Sequence, residues 1–131
     1  MKAVTKHFKQ YNPNPANKKT SDCVIRALCK ATNKEWDSIY VSLMLIGFEL
    51  KTIPNDGETW KKYLMERGFV YNSIAVTKGS KRPTVYGFAK EHPEGTYVLK
   101  VAKHIVTVVD GYYYDIYDCG VCSVYSYWEK R

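Results

Sequence analysis

No apolar run in this sequence approaches the roughly 18 residues that a membrane-spanning helix needs. Its first twenty residues carry lysines and lack the apolar stretch of a secretory signal. Cysteine is sparse, four in 131 residues, which is not the dense framework of a small secreted domain. These absences predict a reducing, cytoplasmic setting and no membrane partner. Internal repeats are missing, and at 45% hydrophobic and 25% charged residues the composition excludes disorder over most of the length, along with collagen-like and low-complexity classes. Acids are in the minority: 13 Asp and Glu stand against 20 Lys and Arg, for a net charge of +7. Such a balance favours anionic partners. The excess is dispersed, however. Residues 1–22 hold five lysines against one Asp, and most other cations alternate with acids or sit in loops such as 78–82. With no groove-reading helix motif and no zinc-finger spacing, nucleic acid is a possible ligand but not the favoured one.

What is present reads as a single domain over residues 1–131, large enough to bury a core without staples. The turn-rich segment Tyr11-Asn12-Pro13-Asn14-Pro15-Ala16-Asn17 cannot be a helix interior, so residues 1–16 are expected to form an extended basic arm or loop. Ser21 and Asp22 are good helix caps, and Val24, Ala27, Leu28 and Ala31 share a helical face, predicting a helix from Cys23 to about Asn33. A second helix is expected over 34–48, capped by Asn33, with Trp36, Ile39, Tyr40, Leu43 and Ile46 or Gly47 as its apolar stripe. Asp56 starts a third, with Trp60, Tyr63 and Leu64 inward and Gly68 as its stop. Strands are expected over 69–76, 96–101, 104–109 and 112–117, with a short helix at 84–92 and an edge strand at 121–128. Asp110-Gly111 is a strong two-residue hairpin signal. Helices first and antiparallel sheet after give an α+β fold.

Three features bear on chemistry. Cys23 stands at a helix start, where free N–H groups and the helix dipole favour the nucleophilic thiolate. His104 begins a strand. Asp115 and Asp118 lie on or near the returning strand. A cysteine, a histidine and an orienting acid form a nucleophile, base and orienter set. The hairpin bears on which acid serves. If Asp110-Gly111 is the turn, His104 faces Tyr117 and Asp115 lies one diagonal step away on the same face. A three-residue loop would instead bring Asp118 opposite His104. Asp115 is preferred.

The segment Asp22-Cys23-Val24-Ile25-Arg26-Ala27-Leu28, followed far downstream by His104-Ile-Val-Thr-Val-Val-Asp-Gly and Tyr114-Asp115-Ile116-Tyr117, resembles the papain-like cysteine proteases, in particular the short members of phage and bacterial genomes. The resemblance covers about residues 12–128. It implies helices at the N-terminal side packed on a C-terminal antiparallel sheet, and a thiol hydrolase of peptide or isopeptide bonds with a Cys23–His104–Asp115 triad. An aromatic two residues after the acid, here Tyr117, fits the pattern. The family's oxyanion-hole Gln, six residues before the cysteine, corresponds to Asn17, a shorter amide; Thr20 or Asn12 could serve instead. The same thiol chemistry also supports transamidation and deamidation. The resemblance implies no cofactor and no metal, a protein or peptide substrate, and a monomer.

Other readings compete. Cys23 could be a small buried hydrophobe, and His104 an ordinary strand residue. His7 and His92 are expected on the surface. Cys119-Gly120-Val121-Cys122 has the spacing of half a zinc site or a redox pair. A catalytically inactive module of the same fold, with its basic face against an acidic protein or nucleic acid, is the alternative function.

Overall fold

Residues 6–131 are described by a computed structural model; the first five positions of the expected arm, Lys2 among them, lie outside the described residues. Along the chain run β1 (Phe8–Gln10), α1 (Cys23–Thr32), α2 (Trp36–Leu50), α3 (Gly57–Glu66), β2 (Phe69–Ser73), α4 (Val85–Glu91), β3 (Thr96–Val101), β4 (His104–Val109), β5 (Tyr112–Asp115) and β6 (Ser126–Lys130). The six strands form one sheet in the order β1-β5-β4-β3-β6-β2. The fold is therefore mixed α+β, with four helices among the described residues. No helix among them is long and apolar enough to cross a membrane.

Side-chain alternation along the strands builds two cores, one on each face. Val98, Ile105 and Trp128 pack with the apolar sides of α1, α2 and α3. Their sequence neighbours Leu99, Val106 and Tyr127 face the other way and pack, with Val108, against Val85, Phe88 and Ala89 of α4. The helices before β3 are thus not all on one side: α4 covers the opposite face.

Three expectations about the sheet need correction. It is not purely antiparallel, because β1 pairs in parallel with β5. The expected arm is in part this strand, held by the His7 carbonyl accepting from Tyr113 N–H and by Tyr11 N–H donating to the Asp115 carbonyl. The last strand is not at an edge. The segment after β5 is long enough to return across the sheet, and β6 then pairs antiparallel with both β3 and β2, with Trp128 buried between them.

Local chemistry accounts for most element ends. Asp56 caps α3 by accepting from Glu58 N–H at 3.1 Å, and Trp60, Tyr63 and Leu64 are buried as their spacing predicts. Asn33 does not cap α2. It closes α1 in the left-handed conformation (φ 56°), its N–H on the Cys29 carbonyl, and α2 starts at Trp36, in keeping with the tolerance of Asn for that region. Asp110 and Gly111 both have positive φ, 48° and 86°, as a tight hairpin turn of this kind demands. At Gly47, where α2 meets the following loop, a Cβ would lie 2.8 Å from the Thr52 carbonyl oxygen. Ile39, Leu43, Ile46 and Gly47 form the buried face of α2, whereas Tyr40 is exposed with Val41, Met44, Leu45 and Phe48.

Candidate active site

The first turn of α1, the first residue of β4 and the last residue of β5 meet at one end of the sheet. The α1–β4 contact is locked by the buried Thr107 hydroxyl, which donates to the Ala27 carbonyl of α1 at 2.6 Å. With the helix fixed across the strand, Cys23 at its N-terminus is set against the start of β4. Its sulfur shares a cavity wall with the His104 ring and Ile105, and both the imidazole and the Ile105 N–H favour its charged form.

The hairpin register places the acid. Val109 pairs with Tyr112, Val108 with Tyr113 and Thr107 with Tyr114, so Asp115 falls on the same face as His104, one diagonal step away. His104 Nε2 lies 2.6 Å from Asp115 Oδ2. A carboxylate only accepts, so Nε2 carries the proton and Nδ1 is the nitrogen left for the sulfur. The Tyr117 ring lies against the imidazole, 5.5 Å between centroids. Asp118 is turned elsewhere: its Oδ1 accepts from the Tyr113 hydroxyl at 2.6 Å and from Gly120 N–H at 2.9 Å.

Asp115 is 1% exposed and its two oxygens are shared out. Oδ2 takes His104 and, at 3.4 Å, the Cys119 thiol. Oδ1 takes Ile116 N–H at 2.8 Å and Arg26 Nε at 3.1 Å. The buried Arg26 guanidinium also donates to Asp22 Oδ1 at 2.7 Å. Asp22 Oδ2 accepts from the Trp36 indole at 2.9 Å and from Asn14 Nδ2 at 3.4 Å. One cation thus joins the carboxylate behind the histidine to the carboxylate before the cysteine. It also draws Asp22 away from capping α1, which has no side-chain cap bond. The Cys23, Val24 and Ile25 N–H groups of that first turn have no acceptor inside the helix.

Electrostatics separate the cysteines. Burial acts to raise the Cys23 thiol, but the bonds from His104 and Ile105 and the charges of His104 and Arg26 outweigh it, holding the thiol below its usual value near 9.0. Burial likewise acts to lower His104, yet the bonds and charges of Asp115 and Cys23 raise it to about 9. Both shifts favour an imidazolium facing a thiolate over the neutral pair. In contrast, burial, aided by Asp22, pushes Cys29 up to about 12. Burial and the Asp115 charge also push Cys119 up.

Two cavities flank Cys23 and share Lys103 and His104. One of about 310 Å³ is lined also by Asn55, Trp60, Lys61 and Lys100. A smaller one of about 230 Å³ is lined by Thr20, Ser21 and Tyr117. Asn17, the expected oxyanion donor, is exposed and lines neither cavity. It serves the loop instead, left-handed at φ 56° with its N–H on the Asn14 carbonyl. Asn12 is also occupied in that loop, donating to the Lys18 carbonyl.

Cys119 and Cys122 are both free; the first is buried in the core beneath α4 and the second, half-buried, packs against it. His104, Asp115 and Cys119 are near enough to share a metal ion, but their donor atoms are already bonded to one another and Arg26 occupies the remaining carboxylate oxygen. His7 and His92 are half-buried rather than on the surface: His7 Nδ1 bonds the Gly111 carbonyl and His92 stacks on Phe88 at 3.8 Å. Arg26 and Cys119, which both contact Asp115, are not marked as site residues by sequence spacing. Arg26 had a signal, as the one charge within the buried stretch from Val24 to Cys29. Compared with known proteins, the chain matches no family profile, no curated sequence and no solved structure.

Proposed function

We propose that this chain is a papain-like thiol hydrolase that cleaves a peptide or isopeptide amide bond. The observation that carries the proposal is the Cys23 sulfur beside a His104 ring, in the lining of two shared cavities, with the ring's Nε2 2.6 Å from the buried Asp115. Cys23 as thiolate attacks the carbonyl carbon, and the C=O electron pair moves to oxygen. That oxyanion is met by N–H groups of the first turn of α1, beginning with Cys23 itself, where the helix dipole also favours negative charge. As the intermediate collapses, the C–N bond breaks and the imidazolium gives its Nδ1 proton to the leaving amine. His104, now neutral, takes a proton from water, which attacks the thioester and frees the thiolate. Another amine in place of water would give transamidation by the same steps. Asp115 keeps the ring oriented with its proton on Nε2, and Arg26 acts through both carboxylates as a positioning residue.

Alkylation tests this directly. Iodoacetamide at pH 7 should modify Cys23 stoichiometrically before Cys29, Cys119 and Cys122, as read by peptide mass spectrometry, and His104→Ala should abolish that preference. A folded protein whose Cys23 reacts only after denaturation would favour the inactive binding module instead.

A further inference from the structure

Three lysines from three separate elements converge on the larger cavity beside Cys23: Lys61 from α3, Lys100 from β3 and Lys103 from the β3–β4 turn. Among the described residues no carboxylate lines this cavity or its smaller neighbour. Asp22, Asp56 and Glu58 adjoin lining residues in sequence but do not line the cavity; Asp22 is held by Arg26 and Asp56 caps α3. Among the described residues none of the three lysines has an ion-pair partner: Lys100 donates only to the Val101 carbonyl, and the Lys61 ammonium stands 5.6 Å from the Trp60 ring. Burial is the main cause that holds the Lys100 ammonium below its usual 10.5; the Cys23 charge acts to raise it and the nearby Lys61 to lower it further. Lys103 adds a conformational cost. It sits at φ 52°, a left-handed position that disfavours a lysine by about 1 kcal/mol and that Gly or Asn would fill more easily.

We propose that this cavity is a subsite for an acidic side chain of the substrate, so that the scissile amide lies next to an Asp or Glu in a peptide. The inference rests on the thiol-hydrolase reading and adds the substrate class. A cavity of about 310 Å³ suits one side chain with its adjoining backbone. The ammonium groups supply the counter-charge, and the Trp60 ring and lysine stems contact its methylenes. A peptide is favoured over a nucleic acid because these cations converge on one side-chain-sized cavity at the nucleophile, rather than forming a stripe that tracks a phosphate backbone.

The test compares two alkylating reagents of similar size, iodoacetate (anionic) and iodoacetamide (neutral). Both attack the same thiolate, so the ratio of their rates is independent of how much thiolate is present. At low salt the ratio for Cys23 should exceed that of a free cysteine peptide by roughly tenfold and fall toward it in 0.5 M salt. It should also fall in Lys61→Gln/Lys100→Met/Lys103→Asn. Should half-buried Lys100 be needed for folding, the exposed pair Lys61→Gln/Lys103→Asn must still lower it. An acetylated, amidated tetraglutamate should slow iodoacetamide more than the tetraglutamine peptide does, and more than a pentathymidylate carrying the same four charges. Normal iodoacetamide reactivity with a free-cysteine ratio, or a ratio indifferent to the lysines, overturns the acidic subsite and leaves the hydrolase standing. Better protection by the oligonucleotide overturns it in favour of nucleic acid. A folded Cys23 inert to iodoacetamide overturns the hydrolase, and the subsite with it.

Discussion

Replacing Asp115 by Asn keeps the side-chain volume and exchanges one acceptor for a donor. Where the new NH2 must go is decided by Arg26. Ile116 N–H and Arg26 Nε both point at Oδ1, at 2.8 and 3.1 Å, so the amide oxygen has to occupy that position and the NH2 must face His104 Nε2. An imidazolium carries protons on both nitrogens and would meet that NH2 donor to donor; only the neutral ring with its proton on Nδ1 fits. Holding His104 charged from 6.5 to about 9 corresponds to roughly 3 kcal/mol at about 1.4 kcal/mol per pH unit. That figure is a ceiling, because Cys23 supplies part of the rise and water in the cavity beside the ring screens the interaction. Losing it removes the cation that stabilises the Cys23 thiolate, and 3 kcal/mol is about 100-fold in an equilibrium. Iodoacetamide alkylation of Cys23 at pH 7 should therefore slow by up to about 100-fold in Asp115→Asn, and its rise with pH should move toward that of an ordinary thiol. Rates from pH 5 to 10, measured alongside a urea titration to show that the variant is folded, would read this. A folded variant with the wild-type rate at pH 7 would mean that the carboxylate is not what keeps the imidazolium charged.

The raised His104 value has a signed consequence for stability. In Cys23→Ser, where the sulfur no longer titrates, the Asp115 contribution should be fully present below pH 6.5 and be lost as pH rises toward the folded value, so the urea midpoint should fall over that interval; a flat profile, or one unaltered by adding His104→Phe, contradicts the linkage. Arg26→Met leaves Asp22 and Asp115 buried without their shared cation and should cost about 3–5 kcal/mol by urea unfolding, whereas a loss under about 1 kcal/mol would mean the pair is solvated. Gly47→Ala forces a methyl to 2.8 Å from the Thr52 carbonyl oxygen and should cost about 1–3 kcal/mol. Gly57→Ala, whose new Cβ would meet nothing closer than 3.9 Å, should leave the melting temperature nearly unchanged; equal losses at both sites would refute the crowding argument.

Turn and cap chemistry made much of the fold legible. Asp110-Gly111 needs two positive φ angles, and once that turn is set the register of β4 and β5 follows by counting, which is why Asp115 rather than Asp118 could be assigned to His104. The Asp56 side chain satisfies an N–H group at the start of α3, and that start was readable for that reason; Thr84 does the same for α4, though that helix was expected without its cap. Asn33 misled because an Asn suits both an N-cap and a left-handed C-cap, and only the path of the chain into α2 chooses between them. The place of β6 was not readable either. Its pairing with β3 and β2 is non-local, and its pattern, with Trp128 buried and Tyr127 half-buried, suits an inner strand as well as an edge.

The site divides along the same line. Its three expected groups could be named because each sits at an element boundary with a local signature: a helix start for the cysteine, strand ends for the histidine and the acid. The groups that tune them have no such signature. Arg26 is readable only by asking what a guanidinium does inside an apolar helical face. The answer has to be a buried carboxylate, and Asp22, one turn earlier, supplies half of it; the other half, Asp115, is 89 positions away and meets Arg26 only because Thr107 fastens α1 across β4. The lysines are less readable still, since in sequence they are three of many dispersed cations. Their meaning arises when a helix, a strand and a turn carry them to the same side of one sulfur, and it is that convergence, rather than the net charge of +7, that bears on what this protein binds.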